Sequence, residues 1–317
     1  MAASASSLIA FVYPGQGSQF VGMGREMALA WPEAREVIDE VSRVTGVPLW
    51  RLMTEGPAED LTYTRHAQLA LLACGIAATR ILRLLGAPEP DVVAGHSLGE
   101  YTALFAAGAL DAASLARLVD ARGRAMADAP GGTMAAVLGV EDATLEALCL
   151  EAPGTVVLAN RNAPGQAVIS GEPQAVAWLA ARAGEMGARK VVPLQVSGAF
   201  HSPLMAGAQE QLQAALHQAP WTEPICPVVH NIDARANRVR DEFAERLARQ
   251  LSSGVDWVGC VRTMVGMGVG TFVELGAGKT LSGLIRRIAP EVRCLPAAGP
   301  DELRAVATTL KGSGVPA

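Results

Sequence analysis

The chain has 317 residues, half of them hydrophobic and few aromatic, with a formal charge of −5. That length holds one large domain or about two of ordinary size, and an acidic chain without a basic run is not a nucleic-acid binder. No uninterrupted apolar stretch approaches the roughly 18 residues of a membrane span, so no membrane association is expected.

In chain order, Leu8–Tyr13 reads as a first strand and not as a signal peptide, because no basic region precedes it. The glycine-rich loop Pro14-Gly15-Gln16-Gly17-Ser18-Gln19 follows, and helical patterns cover roughly 25–45 and 67–85. Residues 91–94 suit a buried strand, and the helix-compatible run 100–107 ends at Gly108. Between these two lies Gly95-His96-Ser97-Leu98-Gly99, a G-x-S-x-G sequence. Strand, tight turn and helix are the context that exposes a serine oxygen at a helix N-terminus, where backbone N–H groups stabilise an anion. A strand-to-helix turn that happens to contain serine is the alternative. A further helix spans about 111–128, with Asp111 as N-cap.

The middle of the chain reads differently. Strand 134–140 and helix 141–151 come first, then strands 154–159 and 166–170 joined by the turn-prone Asn160-Arg161-Asn162-Ala163-Pro164-Gly165. Helix 173–187 and strand 190–196 complete a β-α-β-β-α-β order, the ferredoxin-like unit. Near the C-terminus, strands 227–231 and 271–275 flank a helix of about 240–252. The expected fold class is therefore α/β. A large α/β-hydrolase-like domain with a mainly parallel sheet (1–130 and 198–317) carries an inserted ferredoxin-like subdomain (131–197), with a ligand cleft between them. The five cysteines (Cys74, Cys149, Cys226, Cys260 and Cys294) are scattered and lack C-x-x-C spacing. They imply a reducing, cytoplasmic setting and no metal site.

A serine nucleophile needs a base. His96 adjoins Ser97 but is expected to point away from it; His66 and His217 lie in helical stretches, and His230 closes a strand. His201 falls in a loop just after the inserted unit returns to the large domain, and serine before histidine is the chain order of α/β-hydrolases. Position makes His201 the candidate base, with a merely satisfied side chain as the alternative.

Arg122 lies on the apolar stripe Leu115, Leu118, Val119, Met126 of its helix, whereas Arg117 and Arg124 do not. A buried guanidinium is costly without acceptors. It is either half of a structural ion pair or a fork for a substrate carboxylate. Gln250 shares an inward face with Phe243, Leu247 and Leu251, at a helix end whose free carbonyls can hold an imidazole N–H. An N–H of the Gly15-Gln16-Gly17 loop and that of Leu98 could form an oxyanion hole, where one donor is worth about 2.7–4 kcal/mol. A plain glycine-rich turn is the alternative.

Together these residues resemble the malonyl-CoA:acyl carrier protein transacylases, the discrete acyltransferases of bacterial type II fatty acid synthesis. The resemblance spans roughly 8–296. Its motifs are residues 14–19, Gly95-His96-Ser97-Leu98-Gly99-Glu100-Tyr101, Arg122-Gly123, Gly198-Ala199-Phe200-His201-Ser202 and Glu274-Leu275-Gly276-Ala277-Gly278. Ala277 departs from the usual proline. The resemblance implies Ser97 as nucleophile and His201 as base, with the main-chain carbonyl of Gln250 orienting the imidazole. Gln16 and Leu98 would supply oxyanion N–H groups, Arg122 would pair with the malonyl carboxylate, and Phe200 would line the substrate pocket. By similarity to polyketide acyltransferases, Phe200 and the non-glutamine Leu98 lean toward malonyl.

The reaction implied is ping-pong, from malonyl-CoA to Ser97 and on to the phosphopantetheine thiol of holo-acyl carrier protein. No metal or redox cofactor is expected, and the chain is expected to be a monomer. Arg161, Lys190 or Arg287 near the cleft mouth could meet an acidic carrier protein, with ordinary surface charge as the alternative. The rival enzyme is a serine esterase or thioesterase, which needs no buried arginine and usually has an acidic third triad member; no acid in the sequence stands out for that job. A non-catalytic docking module fits Ser97, His201 and Arg122 poorly. The equivalent acyltransferase of a malonate decarboxylase or polyketide system stays open.

Overall fold

The computed structural model describes residues 7–129 and 131–312. Among the described residues eleven strands form two sheets: β1 Leu8–Tyr13, β2 Val92–Gly95, β3 Thr133–Leu138, β4 Val156–Ala163, β5 Gln166–Gly171, β6 Lys190–Pro193, β7 Val228–Val229, β8 Ala236–Asn237, β9 Val255–Asp256, β10 Val269–Leu275 and β11 Arg293–Ala297. The first sheet runs β11-β10-β1-β2-β7-β8, parallel from β11 to β7 and closed by an antiparallel β8. Its central strands are buried on both faces, β2 throughout, as parallel strands between helical layers must be.

The second sheet runs β6-β3-β5-β4-β9. Helices Asp142–Glu151 and Pro173–Glu185 follow its first and third strands, and β3 to β6 pair antiparallel. β9 comes from the later chain and pairs parallel with β4, which ties the two sheets' bodies together. The expectation of a turn over 160–165 is corrected: β4 continues to Ala163, with Asn160 opposite Val168 and Arg161 opposite Ala167. Only Pro164 and Gly165 turn, Gly165 at φ 65°. Pairing on both sides of β4 outweighs the loop-forming tendency of its asparagines.

The 25–45 pattern is two helices, Arg25–Ala30 and Pro32–Thr45, because Pro32 cannot donate an intrahelical bond and opens a new helix instead. The helix Thr64–Leu84 is long and apolar enough to cross a membrane, which the sequence pattern did not suggest; 83% of its apolar window is buried in the protein interior, as in a core helix. The helix Ala112–Ala127 starts where expected: the Asp111 carboxylate accepts from Ser114 N–H at 2.6 Å. The stretch 240–252 begins as a 3-10 turn, Arg240–Glu242, before the α-helix Phe243–Gln250. β7 is shorter than the expected 227–231, which releases His230 and Asn231 from the sheet edge.

Candidate active site

Ser97 sits between β2 and the helix Gly99–Ala106 with φ 52°, the left-handed conformation of a sharp strand-to-helix turn. The turn is possible because its glycines lack Cβ atoms. A Cβ on Gly95 would strike the Gly99 carbonyl, and one on Gly99 would strike the Tyr13 carbonyl. Ser97 N–H donates to Asn231 Oδ1 at 2.7 Å, and Asn231 Nδ2 donates to the Gly95 carbonyl at 2.7 Å. One asparagine therefore holds both sides of the turn.

His201, also at positive φ (58°), is held against the end of the Phe243–Gln250 helix. Its N–H donates to the Leu251 carbonyl at 3.1 Å, and its Nδ1 lies 2.8 Å from the Gln250 carbonyl. A carbonyl only accepts, so Nδ1 carries the hydrogen and Nε2 keeps its lone pair. That Nε2 is 2.7 Å from Ser97 Oγ. Burial, with the neighbouring Arg122 charge second, lowers the His201 pKa to about 3, so the ring is neutral at pH 7. Among the described residues no carboxylate is bonded to His201; a carbonyl stands in the third triad position.

Arg122 is 1% exposed and lies on the buried stripe, while Arg117 and Arg124 face solvent. Its Nη2 donates to Ser97 Oγ at 3.0 Å and to Gln250 Oε1 at 3.1 Å. Its guanidinium lies 5.5 Å from the Tyr101 ring centroid, and its Nε has no partner among the described residues. No carboxylate pairs with it directly among those residues, so the structural ion pair is absent. Burial pulls its pKa down, opposed by Tyr101 and Glu100. Gln250 Nε2 donates to the Ser97 carbonyl at 3.0 Å and to Glu100 Oε2 at 2.9 Å, which fixes its Oε1 toward Arg122.

Glu100, His230 and Asn231 are bonded into this network, a part that the sequence pattern does not reveal. The buried Glu100 carboxylate accepts from Asn231 N–H (3.0 Å) and Gln250 Nε2, and lies 2.6 Å from His230 Nδ1. The signal available was an acid directly after the serine turn, in a stretch with no solvent-facing side.

A cavity of about 490 Å³ opens at Ser97 and His201, between the two sheets' bodies. Gln16 and Phe200 line it, and Gln16 Nε2 lies 3.4 Å from Thr64 Oγ1. Leu98 is fully buried and forms the N-cap of the Gly99–Ala106 helix. His96 lines the cavity too, bonded through Nε2 to Asn162 Oδ1 at 2.8 Å and not to Ser97. Of the basic residues, Arg161 pairs with Glu146, and Arg287 bonds Gln166 and the Pro164 carbonyl.

Chemically, the site can deliver an alkoxide: Nε2 takes the serine proton while Arg122 stabilises the oxygen. The acyl transferase domain family matches residues 10–291. Malonyl CoA-acyl carrier protein transacylase of Escherichia coli (strain K12) is 41% identical over 307 residues, covering 95% of this chain and 98% of that protein. The Bacillus subtilis (strain 168) protein of the same name is 40% identical, covering 96% and 98%. Among solved structures, malonyl-CoA:acyl carrier protein transacylase (FabD) from Xanthomonas oryzae pv. oryzae superposes with TM-score 0.92 at 44% identity, covering 96% and 98%. A malonyl-transacylase in complex with its type II PKS acyl-carrier protein gives TM-score 0.93 at 35% identity, covering 96% of this chain and 100% of that one. With these coverages and identities, the chain belongs to the malonyl CoA-acyl carrier protein transacylase family of acyl transferases.

Proposed function

We propose that this chain transfers the malonyl group from malonyl-CoA to the phosphopantetheine thiol of acyl carrier protein through a malonyl-Ser97 ester. The names of its relatives support the substrates. One observation carries the acyl choice: a buried guanidinium touches Ser97 Oγ and has no carboxylate partner among the described residues. A malonyl group on Ser97 brings the missing carboxylate.

In the first half-reaction, Ser97 Oγ attacks the thioester carbonyl as His201 Nε2 takes its proton. N–H groups of Gln16 and Leu98 receive the oxyanion. Collapse breaks the carbon–sulfur bond, His201 returns the proton to the coenzyme A thiolate, and malonyl stays on Ser97. In the second half, His201 takes the proton of the carrier thiol, sulfur attacks the ester, and the Ser97 alkoxide is reprotonated. Gln250 holds the ring through its carbonyl and Arg122 through its side chain, and Phe200 walls the acyl pocket. Thioester and ester exchange without change of oxidation state, so the steps call on no redox cofactor.

The pathway we assign is fatty acid biosynthesis, in the cytoplasm, by a monomer built from a catalytic body (1–130 and 198–317) and an inserted one (131–197). The test loads the enzyme with malonyl and offers holo-carrier protein or water. Transfer to the carrier thiol far faster than hydrolysis is expected; preferential hydrolysis would make it a thioesterase.

A further inference from the structure

Glu100 takes no part in the transfer steps, yet its carboxylate is fully buried next to them. It stands in the first turn of the helix Gly99–Ala106, the end of a helix that favours an acid. Asn231 N–H at 3.0 Å and Gln250 Nε2 at 2.9 Å donate to its Oε2, and His230 Nδ1 lies 2.6 Å from its Oε1. The other nitrogen of that ring, Nε2, is buried with no acceptor among the described residues, as suits a neutral imidazole. No lysine or arginine bonds to Glu100 among those residues. A buried carboxylate is costly unless a cation balances it.

A cation lies one side chain away. The Gln250 carboxamide accepts from Arg122 Nη2 at 3.1 Å through Oε1, and donates to Glu100 Oε2 through Nε2. Arg122 and Gln250 are as deeply buried as Glu100. Burial pulls the Arg122 pKa down, and Tyr101 and then Glu100 oppose it, so the carboxylate acts on the guanidinium without touching it. A direct ion pair would fill the guanidinium fork. The amide between them transmits the attraction and leaves the fork open, with Nε lacking any partner among the described residues.

We propose that Glu100 is a positioning residue for acyl selection, the countercharge of Arg122 relayed through the Gln250 side chain. The proposal rests on the function given above. In the free enzyme the two buried charges balance. With malonyl on Ser97, one guanidinium faces two carboxylates, so the acyl group is held less tightly than Arg122 alone would hold it. A looser hold suits an acyl group that must move on to the carrier thiol.

The test is Glu100→Gln, which keeps the shape and removes the charge. Its carbonyl can accept from Asn231 N–H and Gln250 Nε2, and its NH2 can donate to His230 once the ring hydrogen moves to Nε2. The enzyme is equilibrated with malonyl-CoA and free coenzyme A, then separately with acetyl-CoA and coenzyme A, and the occupancy of Ser97 is read by intact-protein mass. The malonyl-to-acetyl ratio of the two loading constants should rise about tenfold, the order of one charge felt across a side chain. Glu100→Asp, which keeps the charge, should stay nearer the wild-type ratio. A hydrogen-bonding role alone would lower both loadings together. A ratio unchanged or lowered in Glu100→Gln overturns the countercharge. If that variant does not fold, Glu100→Gln with Arg122→Met, which removes both charges, should fold; an unfolded double variant overturns it too. A wild-type enzyme that takes no malonyl from malonyl-CoA would remove the proposed function itself. Loading with an unmoved ratio in Glu100→Gln removes only the role of Glu100.

Discussion

Arg122 Nη2 and Ser97 Oγ are 3.0 Å apart, so the most deeply buried cation of the site touches the very oxygen that would carry the acyl group. In the free enzyme the guanidinium donates to the serine oxygen; on the function proposed above, the same fork would receive the carboxylate of the acyl group. Its hold on Gln250 Oε1 at 3.1 Å keeps it in place in between.

Arg122→Ala should remove the preference for malonyl. A hydrogen bond to a charged group is worth about 1.5–3 kcal/mol, so kcat/KM for malonyl-CoA should fall roughly ten- to hundredfold relative to acetyl-CoA. Competition between the two thioesters measures this. An unaltered malonyl-to-acetyl ratio would remove Arg122 from carboxylate recognition.

His201 sets the acid behaviour. Its pKa, about 3, lies below that of an unfolded histidine near 6.5, so between these values the unfolded chain binds the extra proton. The neutral ring's share of stability is intact above pH 6.5 and is lost as pH falls toward 3. His201→Gln should therefore flatten the stability-versus-pH slope by about 1.4 kcal/mol per pH unit between about pH 5.5 and 4, as read by denaturant unfolding. Acylation of Ser97 should show no loss of rate near pH 6.5 in the wild-type enzyme. A rate that halves there would place the ring's pKa near its ordinary value.

Asn231 and Glu100 hold the turn and the helix end in register. Asn231→Ala leaves Ser97 N–H and the Gly95 carbonyl without their partners, and should cost about 1–3 kcal/mol for each. Glu100→Ala strips acceptors from Asn231 N–H and Gln250 Nε2 together and should cost at least as much. Urea unfolding of both variants is the check; stabilities within 0.5 kcal/mol of wild type, the ordinary scatter of a surface change of about that size, would show that the network holds nothing.

Much of this site is legible in the sequence because its signals are local. Ser97 lies between a strand and a helix that pattern alone reveals, Arg122 breaks an apolar stripe, and Asp111 caps the helix it precedes. The end of the Phe243–Gln250 helix offers free carbonyls that can hold an imidazole N–H, and the Gln250 carbonyl lies 2.8 Å from His201 Nδ1. What is not legible comes from pairing between distant segments. Asn160–Ala163 has the composition of a turn, and only its partners β5 and β9 keep it extended. Glu100, His230 and Asn231 meet across about 130 residues of chain, as the sequence separations of their bonds record. No periodicity marks such a meeting. His96, next to Ser97 in sequence, spends its Nε2 on Asn162, a partner in the other sheet.

Both proposed half-reactions pass through a covalent malonyl group at Ser97. The direct measurement is intact-protein mass after a short incubation with malonyl-CoA, followed by peptide mapping. One malonyl adduct per chain on Ser97 in the wild type, none in Ser97→Ala, and discharge by holo-carrier protein are the predicted results. An adduct that persists in Ser97→Ala, or no adduct on an active wild-type enzyme, would contradict it.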